Sequence, residues 1–294
     1  MKTTILITGA TGTTGRYTIK NLLAKGVNVR AMVRVTDNRS KQLEAMGVEI
    51  VPGDFLNLNS LRTALKGIKR TYFCHPFKDY LPKAAGYFAK AAQENGVELT
   101  VVMSQMNVHE GSSSPATQNH LIAEDIFDWA GIGAVHIRPG LFASNYMNMA
   151  GPTVKTESKF YFPNPQAKYT IIHPRDIGNV ITEILLSKQP EKHIGNKYIL
   201  TGSGIYSGDD VANEIGRVLN KKVVYVPIPV EHWIEAMKND PYINDFLAKH
   251  LQEFSKDIAD GKFNYTTDAV KNITGNEPLT FEQFLLENID NFKS

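Results

Sequence analysis

Five glycines constrain this chain more than any other feature in it. Gly26, Gly47, Gly67, Gly96 and Gly131 each close a stretch of helical period that follows a short run rich in β-branched residues. The position just past a helix end often turns left-handed, a conformation that glycine adopts at least cost. Repetition of strand run, helix and glycine stop predicts βαβ units around a parallel sheet. The expected strands are Thr4 to Thr8, Val27 to Val33, Val48 to Val51, Arg70 to Cys74, Leu99 to Met103 and Ala134 to Ile137. The helices between them are expected from Thr13 to Lys25, Arg39 to Met46, Asn59 to Leu65, Leu81 to Asn95 and Gln118 to Ala130.

The pattern breaks after about residue 140, where Pro152, Pro163 and Pro165 interrupt it, so a second lobe is expected to begin there. A helix from Pro174 to Leu186 and a strand from Lys197 to Leu200 should return to the first domain. Helix is expected again over Asp209 to Leu219 and strand over Val223 to Val226, and Val230 to Ser294 reads as mainly helical. The division is therefore a first domain of residues 1–145 with return segments at about 168–200, and a smaller lobe of residues 146–167 and 201–294.

Between the first strand and the first helix lies Gly9-Ala10-Thr11-Gly12-Thr13-Thr14-Gly15. Three glycines with two residues between each pair in this setting allow a tight turn, close approach of backbone to a pyrophosphate, and close packing of helix on strand. Amides at the helix start then face the anion with the helix dipole behind them. The fold expected is α/β, a Rossmann-type doubly wound parallel sheet with a smaller, mainly helical C-terminal substrate lobe. At the end of the second strand, where an acidic residue would hold the ribose 2′-hydroxyl of NAD, stands Arg34. A guanidinium suits the 2′-phosphate of NADP(H), and Arg16 and Arg39 are expected close by. Asp37 keeps NAD open.

Charge and cysteine content bound the partners. With 32 basic and 30 acidic residues the formal net charge is +2, which gives no field for attracting nucleic acid or an anionic membrane. Cys74 is the single cysteine, so an intrachain disulfide and a thiolate zinc cluster are both ruled out. No signal-peptide core and no long apolar run is evident, and the expected location is cytoplasmic. Neither a His-x-x-x-His nor a calcium-loop spacing occurs, so no metal is expected.

Several segments together resemble the NmrA-like family of atypical short-chain dehydrogenases/reductases, and within it the NADPH:quinone reductase group. They are Ile7 to Gly12 with Gly15, Val33-Arg34, Gly53-Asp54-Phe55, Asn119 to Glu124, Ile137 to Tyr146 and Pro174-Arg175-Asp176. The resemblance implies that Asp54 and Phe55 flank the adenine and that Cys74, His75 and Pro76 pass along the ribose and pyrophosphate. By the same resemblance, Pro139, Gly140 and Phe142 border the nicotinamide. Ser104 and Gln105, at the end of the fifth strand, are expected to contact substrate or nicotinamide, and Asn145 and Tyr146 to line the substrate pocket.

Reductases of the wider superfamily carry Tyr-x-x-x-Lys, in which the lysine prepares the tyrosine to protonate a carbonyl oxygen. None of the 12 tyrosines here has a lysine four residues later. Aligned on the family, His120 stands at the lysine position and Ala116 at the tyrosine position. His120 is the leading candidate for a polar role, holding the nicotinamide ribose or relaying a proton, since histidine titrates near neutral pH. Hydride acceptors that need no strong acid fit this lack: quinones, iminium ions and cationic aromatic centres. The expected activity is NADPH-dependent reduction of such a small electrophile by a monomer or homodimer. The alternative is a non-catalytic NADP(H)-sensing regulator that binds a protein partner.

Overall fold

The computed structural model describes residues 4–237 and 243–293; of the stretch expected to be mainly helical from Val230 to Ser294, residues 238–242 and 294 lie outside the described residues. The elements run β1 (Thr4–Ile7), α1 (Thr13–Ala24), β2 (Asn28–Val33), α2 (Asn38–Ala45), β3 (Glu49–Pro52), α3 (Leu58–Leu65), β4 (Arg70–Phe73) and α4 (Leu81–Glu94). They continue with β5 (Leu99–Met103), α5 (Pro115–Trp129), β6 (Ala134–Pro139), β7 (Leu141–Phe142), α6 (Asn145–Met149), α7 (Gly151–Glu157), β8 (Lys159–Phe162) and β9 (Tyr169–Ile172). Last come α8 (Pro174–Leu186), β10 (Lys197–Leu200), β11 (Ile205–Tyr206), α9 (Gly208–Leu219), β12 (Val224–Pro227), α10 (Val230–Met237), α11 (Asp245–Ala259), α12 (Ala269–Thr274) and α13 (Phe281–Glu287).

Contacts divide the chain into two compact units: residues 1–110, 118–138 and 177–198 form one, and residues 111–117, 139–176 and 199–294 the other. The main sheet has seven strands in the order β10-β6-β5-β4-β1-β2-β3. Six of them reproduce the doubly wound order in which the direction of winding reverses between β1 and β4. Parallel pairing aligns Ile5 with Val29 of β2 and with Arg70 of β4. The five glycine stops fall as expected, with φ of 71° at Gly26, 88° at Gly47, 75° at Gly67, 66° at Gly96 and 65° at Gly131.

The strands of this sheet read as nearly continuous apolar runs because both of their faces are covered. Leu6, Phe73 and Val102 pack on one side with Leu61, Leu65, Phe88, Phe127 and Ile132, all buried. Aromatic edges organise that side: the Phe127 ring lies 4.8 Å from Phe73 and 6.2 Å from Phe88. α5 begins at Pro115, earlier than the expected Gln118. The cause is local: the Ser114 hydroxyl accepts from the Thr117 amide at 3.1 Å, and proline is well suited to a first helical position.

The second unit holds more strand than the sequence pattern suggests. β7 and β9 pair in parallel and β11 joins β9 antiparallel in a three-stranded sheet. β12, the strand expected near Val223, pairs in parallel with β8. Helices α6, α7 and α9 to α13 also belong to this unit. Among the described residues, no helix is long and apolar enough to cross a membrane.

Phe127 is fully buried. Its replacement by alanine should remove about 3–5 kcal/mol of stability, as expected when a core aromatic leaves a cavity. Urea unfolding followed by circular dichroism checks this; a loss below ~1 kcal/mol would mean that the aromatic side of the sheet can collapse to fill the space.

Candidate functional site

The glycine turn is built by contacts that exclude side chains. Gly9 has φ of 57°, and a Cβ there would meet the Cys74 Cβ at 3.0 Å. A Cβ on Gly15 would lie 2.4 Å from the Gly9 carbonyl oxygen, so α1 can approach β1 only with glycine at this position. The Gly12 amide donates to the Gly9 carbonyl at 2.9 Å, closing the turn. α1 starts with Gly12 as its cap and has no side-chain acceptor there. By contrast Asp37, Asn57, Ser207, Asn244 and Thr280 cap the helices that follow them. The first amides of α1, at Thr13, Thr14 and Gly15, therefore form an anion cradle that fits a pyrophosphate.

The threonines divide by direction. Thr14 is buried with its hydroxyl 2.9 Å from the Tyr72 hydroxyl, so it offers an anion only its amide. Thr13 is exposed and Thr11 half-buried. Thr8, under the turn, ties β1 to β4: its hydroxyl donates toward the Tyr72 carbonyl at 3.1 Å and accepts from the Cys74 amide at 2.8 Å.

Arg34 is exposed one residue beyond β2. Asp37, the residue that keeps NAD open, is engaged locally. Its Oδ1 accepts from the Arg39 and Ser40 amides at 2.9 and 3.1 Å, and its Oδ2 from Arg39 Nε and Nη2 at 2.9 and 2.7 Å. These four bonds use the acceptor capacity of the carboxylate. The Arg39 side-chain bond, the largest influence on it, holds the Asp37 carboxyl below its ordinary range. Arg16 Nη2 donates to Gln42 at 3.1 Å, on the side of α1 that faces α2.

Along the ends of β3 and β4, Asp54 is exposed and its Oδ1 accepts from the Leu56 amide at 2.9 Å. Phe55 is half-buried and packs edge-on against Phe73 at 5.3 Å and His75 at 4.9 Å. Pro76 is exposed. Burial pushes the Cys74 thiol up, which disfavours its thiolate form. His75 Nδ1 lies 2.7 Å from the Pro76 carbonyl, and burial lowers the ring to about 4. His75 is thus neutral at pH 7, with the proton on Nδ1 and an acceptor lone pair on Nε2.

Beyond β5, Ser104 and Gln105 are buried. The Ser104 hydroxyl donates to Glu124 Oε1 at 2.6 Å. Glu124, fully enclosed, also receives Arg138 Nε at 2.9 Å and Nη2 at 2.5 Å, with Lys197 Nζ 3.1 Å from Oε2. Burial alone would push this carboxyl up; the bonds from Arg138 and Ser104 outweigh it and hold it down at about 2. The sequence pattern contains Glu124 and Arg138 but gives no sign that they pair. One turn before Glu124 on α5, His120 is buried with its ring edge-on to Phe77 at 5.4 Å.

In the second unit Pro139 and Gly140 are buried and Phe142 is half-buried on β7; the Gly140 amide donates to the Leu200 carbonyl at 2.9 Å. Asn145 is exposed at the start of α6. Tyr146, expected at a pocket wall, is fully enclosed, its ring 5.8 Å from Phe160 and 5.3 Å from Phe281. It serves packing in this conformation. Clefts of about 490 Å³ beside Asn213, Arg217 and Lys222 and about 570 Å³ beside Glu98, Asp128 and Ile194 hold none of the expected site residues. No group of three or more metal-ligating side chains occurs among the described residues.

The sequence pattern of the NmrA-like family matches residues 1–285. The chain belongs to the NmrA-like family. Its similarity to other proteins extends over nearly whole chains. It is 25% identical over 282 residues to an NAD(P)H azoreductase of Xenophilus azovorans, covering 95% of this chain and 96% of that protein. Among solved structures it resembles an NADPH-dependent quinone oxidoreductase from Escherichia coli in complex with NADPH, with a TM-score of 0.84, 21% identity and coverage of 97% and 99%. A triphenylmethane reductase of Citrobacter sp. in complex with NADP(H) gives a TM-score of 0.83, 22% identity and coverage of 97% and 99%. At these identities the solved structures speak for the fold of this NmrA-like chain.

Glu124 has a pH signature. Its folded pKa of about 2 lies below the ordinary 4.5, so its contribution to stability is complete above about pH 4.5 and is lost as the pH falls toward 2. Urea unfolding at stepped pH should show this loss, and Glu124→Gln, less stable at neutral pH, should show a shallower fall over the same window.

Proposed function

We propose that this NmrA-like chain is an NADPH-dependent reductase that transfers hydride to a small conjugated electrophile, a quinone, iminium ion or cationic aromatic acceptor. The observation that carries the cofactor half of this reading is the uncapped start of α1, packed on β1 so closely that only glycine fits at position 15. The names of the azoreductase and quinone oxidoreductase relatives support the reductase half.

Gly9, Gly12 and Gly15, with the amides of Thr13 and Thr14, would hold the pyrophosphate, and Thr11 would border it. Arg34 would take the 2′-phosphate, a role open to it because the Asp37 carboxylate is engaged by Arg39 and the start of α2. Asp54 and Phe55 would flank the adenine, and Cys74, His75 and Pro76 would line the path to the nicotinamide. Gln105, His120, Pro139, Gly140 and Phe142 are assigned to the nicotinamide end, and substrate recognition to residues 146–167 and 201–294, including Asn145 just before them.

When bound, NADPH supplies the hydride. The chain then has to orient the ring, keep water away and, for a quinone, leave a route for one proton. With alanine at position 116 and no Tyr-x-x-x-Lys, His120 is the group assigned to that proton or to the ribose. An acceptor that is already cationic needs no proton as the hydride arrives.

NADPH oxidation, followed at its absorbance band against quinones, a cationic dye and a cyclic iminium compound with NADH in parallel, tests the activity. Saturable oxidation of NADPH in preference to NADH is expected. Tight binding with no turnover across the panel would replace the reductase by the NADP(H)-sensing regulator. Arg34→Glu should weaken NADPH at least tenfold, on the scale of a lost charge-assisted phosphate contact, and NADH far less. Equal losses for the two cofactors would remove Arg34 from the phosphate site.

A further inference from the structure

The Ser104 to Glu124 bond fixes which way Ser104 can act. An ionised carboxylate has no proton to give, so at 2.6 Å the serine hydroxyl is the donor and Glu124 Oε1 the acceptor. The carboxylate cannot swing away. It is fully enclosed, Arg138 grips both of its oxygens through Nε and Nη2, and Lys197 Nζ stands 3.1 Å from Oε2. A serine hydroxyl carries one proton and two lone pairs. With the proton committed to Glu124, only acceptor capacity remains.

Position along the sheet says what there is to accept from. If the 2′-phosphate lies at the end of β2 and the pyrophosphate at the end of β1, the other half of a bound dinucleotide extends past β4 and β5. His75 follows β4 and presents an acceptor at Nε2, the level of the ribose. Ser104 follows β5, one strand further out, the level of the nicotinamide. The nicotinamide ring carries one strong N–H donor, its carboxamide.

We propose that Ser104 accepts a hydrogen bond from the carboxamide of the nicotinamide, and does not donate a proton to substrate, because Glu124, clamped by Arg138, takes the serine proton. Glu124 is then a positioning residue that acts through Ser104. This rests on the NADP(H) reading above, and adds to it the orientation of one hydroxyl and the residue that sets it.

The experiment is a fluorescence titration of the full chain with NADPH and with its 3-acetylpyridine analogue, in which a methyl group replaces the amide nitrogen. Ser104→Ala should weaken NADPH by roughly threefold to tenfold, the range for one hydrogen bond, and leave the analogue unchanged. Ser104→Thr, which keeps the hydroxyl, should restore NADPH affinity. Glu124→Gln should produce a similar loss for NADPH and add nothing further to Ser104→Ala, since both act on one contact. Should Glu124→Gln fail to fold, Arg138→Lys, which keeps a positive charge but loses the two-pronged grip, takes its place in the cycle.

Wild-type binding of NADPH with no change on Ser104→Ala overturns the proposal and leaves the cofactor reading standing. So does a fall in kcat with affinity for NADPH intact, the mark of a serine that donates to substrate. Equal weakening of NADPH and the analogue would also overturn it, by removing the carboxamide as the partner. Failure of the wild-type chain to bind NADPH at all would overturn the cofactor reading together with the proposal.

Discussion

A parallel sheet cannot be closed by hairpins; each strand must be followed by a crossover that returns to the same end. That requirement orders everything else in the first unit. Because the crossovers are right-handed, the reversal of strand order between β1 and β4 sends neighbouring connections to opposite faces of the sheet. In sheets wound this way, the carboxyl ends of the two strands at the reversal are where ligands bind. Gly9, Arg34, Cys74, His75 and Ser104 all stand just past the ends of strands β1, β2, β4 and β5, so sequence positions nearly a hundred residues apart share one edge by topology alone.

Covering both faces of the sheet leaves little room for unsatisfied polar groups, and the buried ones are tied in accordingly. Thr8 and Thr14 spend their hydroxyls on β4. Glu124 is the extreme case, a carboxylate with no exposure that stays charged because it has partners on both oxygens. Such a pair is weak evidence for stability, since hydrophobic residues of similar volume often do as well, whereas removal of one member costs about 3–5 kcal/mol. Its presence makes better sense as a device for fixing direction: a buried ion pair holds Ser104 in one donor orientation, which an apolar core would leave free.

The sheet, its five glycine stops and the tight glycine turn between β1 and α1 were legible because each depends on residues close in sequence. Periodicity, helix caps and turn glycines are local signals. The small sheets of the second unit were not legible, since β7 and β11 are two residues long and no alternation can show itself over that length. The strand near Val223 was readable as a strand, but its partner β8 was not, because pairing 65 residues apart leaves no mark on either segment. Glu124 and Arg138 were visible only as members of motifs. What joins them to Ser104 is the adjacency of α5 with β5 and β6, which spacing does not encode. Tyr146 looked like a pocket wall from its motif, and what hides it, Phe160 and Phe281, comes from segments that sequence gives no reason to bring together.

The state of protonation at the sheet edge bears on what such a chain can reduce. Hydride delivered to a ketone creates an alkoxide, a strong base that must be protonated as it forms, and enzymes meet this with a positioned acid. Here His75 is neutral with its single N–H given to the Pro76 carbonyl, and Ser104 has given its proton to Glu124. If the hydride passes this edge as proposed, these two groups offer it acceptors only. Acceptors hold the amide and hydroxyl donors of a cofactor well, yet they do nothing for an incipient alkoxide. The electrophiles compatible with that edge are those whose reduction leaves a neutral product or a delocalised anion, which is why cationic and quinonoid acceptors fit the proposed function better than simple ketones do.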